Sequence, residues 1–459
     1  MLEGGGELPL ESLLNPNITA ILIKGPPGAG KTTLAFELLR IHGRGLYIST
    51  RVSNKKLERQ YPYVKELIEK GEVVEAAPRA RGAKFEDLRF GKATNILESV
   101  FESVTKLKKP LVVLDSWDSI AKELDFKERL RIEKSLIGIA EENEAKLVFI
   151  SEEPHLTTTD YLVDAIITLK DEEIEGRRIR RIEWNKLRGS EIPQKSFLFT
   201  LHGGRFKIFQ RAKVEDWIEF KARKFKPREH KKIYYSSGSR DLDDLFEGGL
   251  RKGSTILLEV GKTVPPDWQL PLLASIELNF LALNGCAVNS SHASIAPITF
   301  KEAIARHLSE DIVKSRFRIG LYEEHRSDPC FFTLDRSSTE KSFEKLWSEA
   351  MKVKGVSGRP CIVFVDLDIE EAIHPGNELL KCVLELSLEI RQFNDVLVLK
   401  LEEDNEIKGK LLAFCDRHVK LDVADATLVT YSIRPPSRIC HLEYDYSKGY
   451  PIVKLTPVV

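Results

Sequence analysis

No cysteine occurs before Cys286; all six (Cys286, Cys330, Cys361, Cys382, Cys415 and Cys440) lie in the second half of the chain. None forms a C-x-x-C pair, so neither a zinc site nor a disulfide framework is suggested, and small buried thiols in a reducing compartment are the expectation. Glutamine is nearly missing, with only Gln60, Gln194, Gln210, Gln269 and Gln392. Together with a surface rich in lysine and glutamate, that scarcity hints at a thermophilic source. Neither sign of charge is in excess, at 70 Lys+Arg and 70 Asp+Glu. This argues against a polyanion binder acting through bulk charge and leaves only a local basic patch open. Long apolar runs are lacking too. Leu272 to Val288 is the longest candidate, and Glu277 and Asn279 interrupt it. It falls short of the ~18–20 apolar residues of a membrane span and reads as a buried helix. The opening residues do not show the basic start, apolar core and cleavage site of a leader, so a cytoplasmic protein without membrane association is expected.

What is present describes a soluble globular chain, 42% hydrophobic and 31% charged. Its 459 residues exceed what one hydrophobic core usually holds, which favours two domains of ~200 residues. Short apolar runs alternate with helical patterns: Ala20–Ile23, Leu46–Ile48, Leu111–Leu114, Lys146–Ile150 and Ala165–Leu169. Runs of this length without polar alternation suit strands buried on both faces of a parallel sheet. Arg178–Trp184, Phe197–Thr200 and Arg205–Phe209 read as antiparallel strands closing the first domain, with a turn at Glu175–Gly176.

The second half repeats the first. Leu111-Val-Val-Leu-Asp115 is echoed by Ile362-Val-Phe-Val-Asp366, Leu147-Val-Phe-Ile150 by Val396-Leu-Val-Leu399, and Val163–Leu169 by Cys415–Leu421. The offsets all lie near 250 positions, in the same order, as a tandem duplication requires. The predicted organisation is a first domain over 1–212, a basic linker over 213–232 and a second domain over 233–459. Lys221–Lys232 is a charge run that reads first as solvated linker; an acidic partner or nucleic acid held there is the competing use.

Gly25-Pro-Pro-Gly-Ala-Gly-Lys31-Thr32 fits G-x-x-x-x-G-K-[ST]. Glycines let successive N–H groups of the loop face phosphate oxygens at a helix N-terminus. Lys31 would reach the β- and γ-phosphates of ATP, and Thr32 would ligate Mg²⁺. The cofactor-binding set is therefore Gly25, Pro26, Pro27, Gly28, Ala29, Gly30, Lys31, Thr32 and Thr33. Asp115, ending an apolar strand, supplies the carboxylate near the metal, so Thr32 and Asp115 form the metal pair. A glycine turn of purely structural use is the alternative. The apolar strand before the motif and Leu34, Leu38 and Ile41 at helical spacing after it weigh against that alternative.

Between Lys31 and Asp115 there is room for an extra strand at Leu46–Thr50, a layout that resembles the RecA superfamily and, within it, the KaiC-like ATPases. The matching segments are the phosphate loop, Gly45–Thr50, Leu114-Asp-Ser116, Lys186-Leu-Arg-Gly189 and the segment Ser237–Gly253, which looks like the start of a second copy. The resemblance implies an α/β fold of two tandem RecA-like domains, each a mainly parallel sheet flanked by helices and ending in an antiparallel hairpin. It implies that Lys186 and Arg188 act catalytically with Lys31 and Asp115, reaching the γ-phosphate of a neighbouring subunit. That requires a homo-oligomer, a hexameric ring being one form of it. A solvated hairpin tip is the plain alternative for Lys186 and Arg188.

The family pattern breaks in two places. A Glu pair usually follows the second strand and one of its members orients the attacking water; here the chain reads Arg51-Val52. Losing such a group commonly costs ~10²–10⁴-fold in rate, so slow turnover is expected. Glu152 and Glu153 could approach the γ-phosphate from the adjacent strand, but the favoured reading makes one a polar sensor and the other a surface residue; His155 could sense phosphate but reads first as plain surface. The second copy reads Val260-Gly-Lys-Thr-Val-Pro-Pro-Asp-Trp268 where its phosphate loop should be. No helix is expected directly after Gly261-Lys262-Thr263, and the prolines withhold N–H donors from the loop. This copy reads as inactive, with Asp366 a relic and Tyr446-Ser-Lys-Gly449 in place of the Lys-Leu-Arg-Gly tip. Arg79–Lys84 with Arg89 and Lys92 reads as a basic loop, and only Phe85 and Phe90 are there to stack on bases.

Three functions follow from these readings. The first is a slow, oligomeric ATPase whose nucleotide state controls assembly or a protein partner. The second is a nucleotide-binding regulator with little or no hydrolysis, for which the resemblance to the gas vesicle protein D family is a precedent. The third is recombination or repair, which the neutral charge and the lack of a small helical DNA-binding domain oppose.

Overall fold

A computed structural model of the chain describes residues 10–49, 54–63, 73–75, 93–213, 221–290, 296–323, 328–355, 358–374 and 376–459. The chain divides into two compact units, Met1–Arg211 with Val458–Val459, and Ala212–Pro457. Among the described residues no helix is long and apolar enough to cross a membrane.

The first unit contains β1 (Ala20–Lys24), β2 (Gly45–Ser49), β3 (Val73–Glu75), β4 (Leu111–Asp115), β5 (Lys146–Ser151), β6 (Ala165–Ile174), β7 (Arg177–Leu187), β8 (Ser196–Thr200) and β9 (Lys207–Ile208). They form one sheet in the order β3-β2-β4-β5-β1-β6-β7-β8-β9. Pairing is parallel from β3 to β6 and antiparallel from β6 to β9. The apolar runs have a simple cause. Ile21 and Ile23 face one core, with Leu34 and Leu38 of helix α1 (Lys31–His42). Ala20 and Leu22 face the other, with Val100 and Val104 of α2 (Ala93–Lys106) and Ile132 and Leu136 of α3 (Phe126–Glu142). Both faces of β1, β4 and β5 are covered, so their polar residues stand only at the strand ends. Glu175 and Gly176 join β6 to β7 with φ of 49° and 71°, the paired positive values of a tight hairpin turn.

The second unit has a small ribbon, β10 (Tyr234–Tyr235) with β11 (Leu250–Arg251). Its main sheet is built from β12 (Ser254–Val260), β13 (Cys286–Asn289), β14 (Phe317–Leu321), β15 (Phe331–Thr333), β16 (Cys361–Asp366), β17 (Val396–Glu402), β18 (Arg417–Ala424), β19 (Thr427–Arg434), β20 (Cys440–Asp445) and β21 (Ile452–Pro457). The order is β15-β14-β13-β16-β17-β12-β18-β19-β20-β21. Matching β12, β13, β14, β16, β17 and β18 to β1–β6, and β19–β21 to β7–β9, reproduces the first sheet with β15 added at one edge. Helices α4 (Pro266–Ala282), α5 (Thr339–Lys354) and α6 (Asn377–Gln392) are the longest that flank this sheet. The fold is thus α/β, two mainly parallel sheets flanked by helices and each ending in antiparallel strands, as tandem RecA-like domains require. All six cysteines are buried and free.

Strand register sets the correspondence residue by residue. Leu111 pairs with Lys146 and Ile362 with Val396; Ala20 pairs with Leu147 and Thr255 with Leu397. Thr255 therefore stands for Ala20, Pro266 for Lys31 and Asp267 for Thr32. As expected, no helix follows Gly261–Thr263 directly: Val264 and Pro265 intervene and α4 begins at Pro266, the position equivalent to that at which α1 begins. A proline at the first helical position loses nothing, because its missing N–H would have no intrahelical acceptor there. The basic stretch 221–232 is largely exposed but anchored to this unit. Phe225 is buried and donates its N–H to His307 O at 3.0 Å, and Arg228 N donates to Asn279 Oδ1 at 2.8 Å.

Candidate functional site

The loop Gly25–Gly30 joins β1 to α1 and starts against Leu169 of β6. Gly25 has φ of 152°, and a Cβ there would stand 2.6 Å from Leu169 O. Gly30, at the cap of α1, has φ of 102°, and its Cβ would meet both Leu201 methyls at 3.0 Å. Only glycine meets both demands. No side chain caps α1, and the first-turn N–H groups and dipole of a helix favour an anion at such an end.

Lys31 is buried, and its ammonium turns back to the loop. Nζ donates to Gly25 O at 2.7 Å and to Pro26 O at 2.9 Å, with Glu152 Oε1 at 3.9 Å. One residue on, Thr32 Oγ1 donates to Asp115 Oδ2 at 2.7 Å. The Tyr47 hydroxyl donates to the same carboxylate oxygen. Burial and then the Asp115 charge push the Tyr47 phenol well above its ordinary pKa, so it stays a proton donor. Ala29 within the loop and Thr33 in the first turn of α1 are buried.

A cavity of about 710 Å³ opens beside the loop, bordered by Gly25, Pro26, Glu152, Leu156, Asn185 and Lys186. Lys24, immediately before the loop, donates to Asp160 Oδ1 at 2.9 Å and to His155 O at 2.7 Å. Lys186 Nζ donates to Asp160 O at 3.1 Å. Burial, and next the Arg188 charge, lower the Lys186 pKa. Arg188 leaves the cavity: Nη1 donates to Asp164 Oδ1 at 2.8 Å, and the side chain is 61% exposed. The segment after β5 is tied down again by fully buried Glu133. It accepts from Trp117 Nε1 at 2.8 Å, Arg129 Nε at 2.9 Å, Thr158 Oγ1 at 2.6 Å and Thr159 Oγ1 at 2.5 Å.

The residues singled out from sequence therefore separate. Lys31, Thr32, Asp115 and Glu152 converge; Lys186 borders the same cavity from its own chain; Arg188 faces outward. Glu153 pairs with Lys122 at 3.3 Å, and the His155 side chain is exposed. Thr50, Arg51-Val52 and the basic loop from Arg79 to Lys92 lie outside the described residues. Sequence reasoning missed Tyr47, Lys24, Asp160, Glu133 and Arg180. Tyr47 sits in an apolar run and reads as filler. Lys24 and Arg180 carry no spacing signal, since Asp160 and Gly28 lie 136 and 152 positions away, whereas Arg129–Glu133 at i,i+4 and the capping box Thr157–Asp160 were local signals that could have found Glu133 and Asp160.

The residues present fit a nucleoside polyphosphate with a divalent cation. Loop N–H groups and the Lys31 ammonium suit phosphate oxygens. Thr32 Oγ1 and the Asp115 carboxylate are hard oxygen donors already within 2.7 Å of one another. In the second unit the equivalent ground is hostile to phosphate. Glu259 replaces Lys24 by register and is buried against His418 Nε2 at 2.7 Å and Lys408 at 3.3 Å.

A strand, a glycine loop, a helix opening with Lys-Thr and a carboxylate ending a parallel strand one place removed in the sheet define a P-loop domain. Residues 15–185 match the family model described as the GvpD gas vesicle protein, P-loop domain. The chain is 24% identical to Protein GvpD2 of Halobacterium salinarum over 468 residues, covering 96% of this chain and 93% of that one. It is 26% identical to Protein GvpD1 of the same organism over 279 residues, covering 57% of this chain and 51% of that one. The likeness to GvpD2 thus extends beyond the P-loop domain into the second unit.

Proposed function

We propose that this protein is a nucleotide-dependent regulator of the gas vesicle protein D type, in which ATP with Mg²⁺ binds the first unit and turnover is slow. The observation that carries this reading is the convergence of Lys31, Thr32 and Asp115 around a loop that has no room for a side chain at Gly25 or Gly30. Gly25–Gly30 and Thr33 would cradle the phosphates, and Thr32 and Asp115 would hold the metal. Bound Mg²⁺ would supply charge neutralisation at the phosphates. Lys31 would exchange its two loop carbonyls for phosphate oxygens, and Tyr47 would keep Asp115 oriented. The ion pair of Glu152 with Lys31, at 3.9 Å, supports a role for Glu152 in sensing the terminal phosphate rather than in strong base catalysis. The regulatory part rests on the likeness to GvpD relatives and on the second unit, which has kept the fold while replacing Lys31 and Thr32 by Pro266 and Asp267.

Assembly enters as part of the same reading. Lys186 borders its own chain's cavity, so it is Arg188, 61% exposed, that would serve a neighbouring copy. A homo-oligomer or a protein partner would be what nucleotide controls. The test combines ATP affinity, turnover and solution mass for wild type, Lys31→Ala and Arg188→Ala. Nucleotide binding lost in Lys31→Ala, with mass that depends on nucleotide and on Arg188, is the expected result. ATP affinity equal in wild type and Lys31→Ala would sink the reading.

A further inference from the structure

Arg180 lies on β7 opposite Asp171 of β6 and is 4% exposed. Its Nη1 donates to Gly28 O, at the tip of the phosphate loop, at 3.2 Å. Its Nε is buried with no acceptor among the described residues. Among the described residues the nearest carboxylate, Asp171, is 3.9 Å away and already held by Arg178, whose Nε donates to Oδ1 at 2.7 Å and whose Nη2 donates to Oδ2. Burial, and then the Arg178 charge, lower the Arg180 pKa. A guanidinium so poorly compensated is costly to bury and gains most from a further anion nearby.

The second unit supplies the control. Val423 stands for Asp171 and pairs with Leu428, so Leu428 occupies the Arg180 position, with the same register shift at the start of the hairpin. Leu428 is buried in the apolar core. The fold at this point therefore needs only an apolar side chain. An arginine stands there in the unit that has a phosphate loop, and a leucine in the unit that has lost it.

We propose that Arg180 is a positioning residue of the phosphate loop, fixing its tip through the Gly28 carbonyl and adding an in-chain positive charge to the field that meets a polyphosphate. This rests on the reading of Gly25–Thr33 as a nucleotide site. It is separate from the roles of Lys186 and Arg188, because Arg180 reaches the loop of its own chain. A guanidinium suits this role, because its planar donors hold a carbonyl while its charge stays fixed at any working pH.

The experiment uses the full chain with Arg180→Leu, which copies Leu428, Arg180→Lys as the conservative variant, and Lys31→Ala as the reference for a lost site. Thermal melting reports the fold, hydrogen exchange of the Gly25–Thr33 amides without nucleotide reports the anchor, and titration of a fluorescent ATP analogue competed by inorganic triphosphate reports the ligand. Arg180→Leu is expected to melt with the wild type, exchange its loop amides faster and bind the analogue roughly ten- to a hundredfold more weakly, the worth of a charge-assisted contact. Arg180→Lys should recover most of both. Loop exchange equal to wild type in Arg180→Leu overturns the anchor whatever the nucleotide does. Faster exchange with wild-type affinity overturns the link to the ligand. Faster exchange when even the wild type binds no nucleotide keeps the anchor and removes the nucleotide reading instead. Should Arg180→Leu fail to fold, Arg180→Gln decides by the same exchange readout.

Discussion

Lys400 Nζ lies 3.1 Å from Asp366 Oδ2 and 3.3 Å from Asp368 Oδ2, on the strand position that Ile150 fills next to Asp115 in the first unit. Burial alone would lower the Lys400 pKa, but Asp366 and Asp368 outweigh it and hold it above its ordinary value. The second unit has thus internalised a cation beside its relic carboxylate, where the first has a neutral side chain and a Thr32 hydroxyl. Charge that a ligand would bring to the first unit is built into the second.

That pairing makes Lys400→Ile, the first unit's residue, a damaging change. Asp366 is 1% exposed, and stranding a buried charge costs about 3–5 kcal/mol. Urea unfolding should show this loss, and adding Asp366→Leu should recover most of it. A loss below about 1 kcal/mol would mean the pair behaves like a surface ion pair.

Gly25→Ala tests the loop geometry itself. The added methyl meets Leu169 O at 2.6 Å in a backbone region closed to alanine, at a cost of about 1–3 kcal/mol. ATP binding should vanish while the rest of the first unit remains folded by circular dichroism. Retained affinity would show that the loop adopts another shape when loaded.

Glu133→Ala removes the acceptor shared by Trp117, Arg129, Thr158 and Thr159. Breaking a buried, charged network costs about 3–5 kcal/mol. Hydrogen exchange should rise first over Thr157–Leu162, the helical turn carrying Asp160 and hence Lys24. Unchanged protection there would assign the anchoring to Lys24 and Asp160 alone.

His230 gives the second unit an acid sensitivity. Burial, with the Lys252 charge second, holds its imidazole down at about 4 against an ordinary value of 6.5. Its neutral Nδ1 accepts from Ser236 N at 3.1 Å. The unfolded chain takes up this proton first. Stability from neutral His230 is therefore complete above about 6.5, declines between about 6.5 and about 4, and loses nothing further below that. Denaturant midpoints measured across this window should fall more steeply for wild type than for His230→Gln. Parallel slopes would refute the assignment.

Much of the architecture was legible because inner parallel strands leave a local mark. Leu111–Leu114 and Ile362–Val365 are apolar throughout, as burial on two faces demands, and their shared order exposed the duplication. The phosphate loop was legible for the same reason: Gly25 to Thr32 is one contiguous segment whose chemistry depends on its own spacing. Tyr47 and Arg180 were invisible because nothing near them in sequence names their partners.

By itself the sequence determined the paired α/β sheets, the glycine loop from Gly25 to Thr32 and its altered counterpart in the second unit. These follow from periodicity and spacing within short segments, where backbone geometry alone places the side chains. The tertiary structure decided which distant groups share a charge. It set Arg180 on Gly28 across 152 positions and Thr32 on Asp115 across 83, turned Arg188 away from the cavity and placed Lys400 beside Asp366. Such pairings depend on the register between strands, which is fixed only when the two cores close on the sheet.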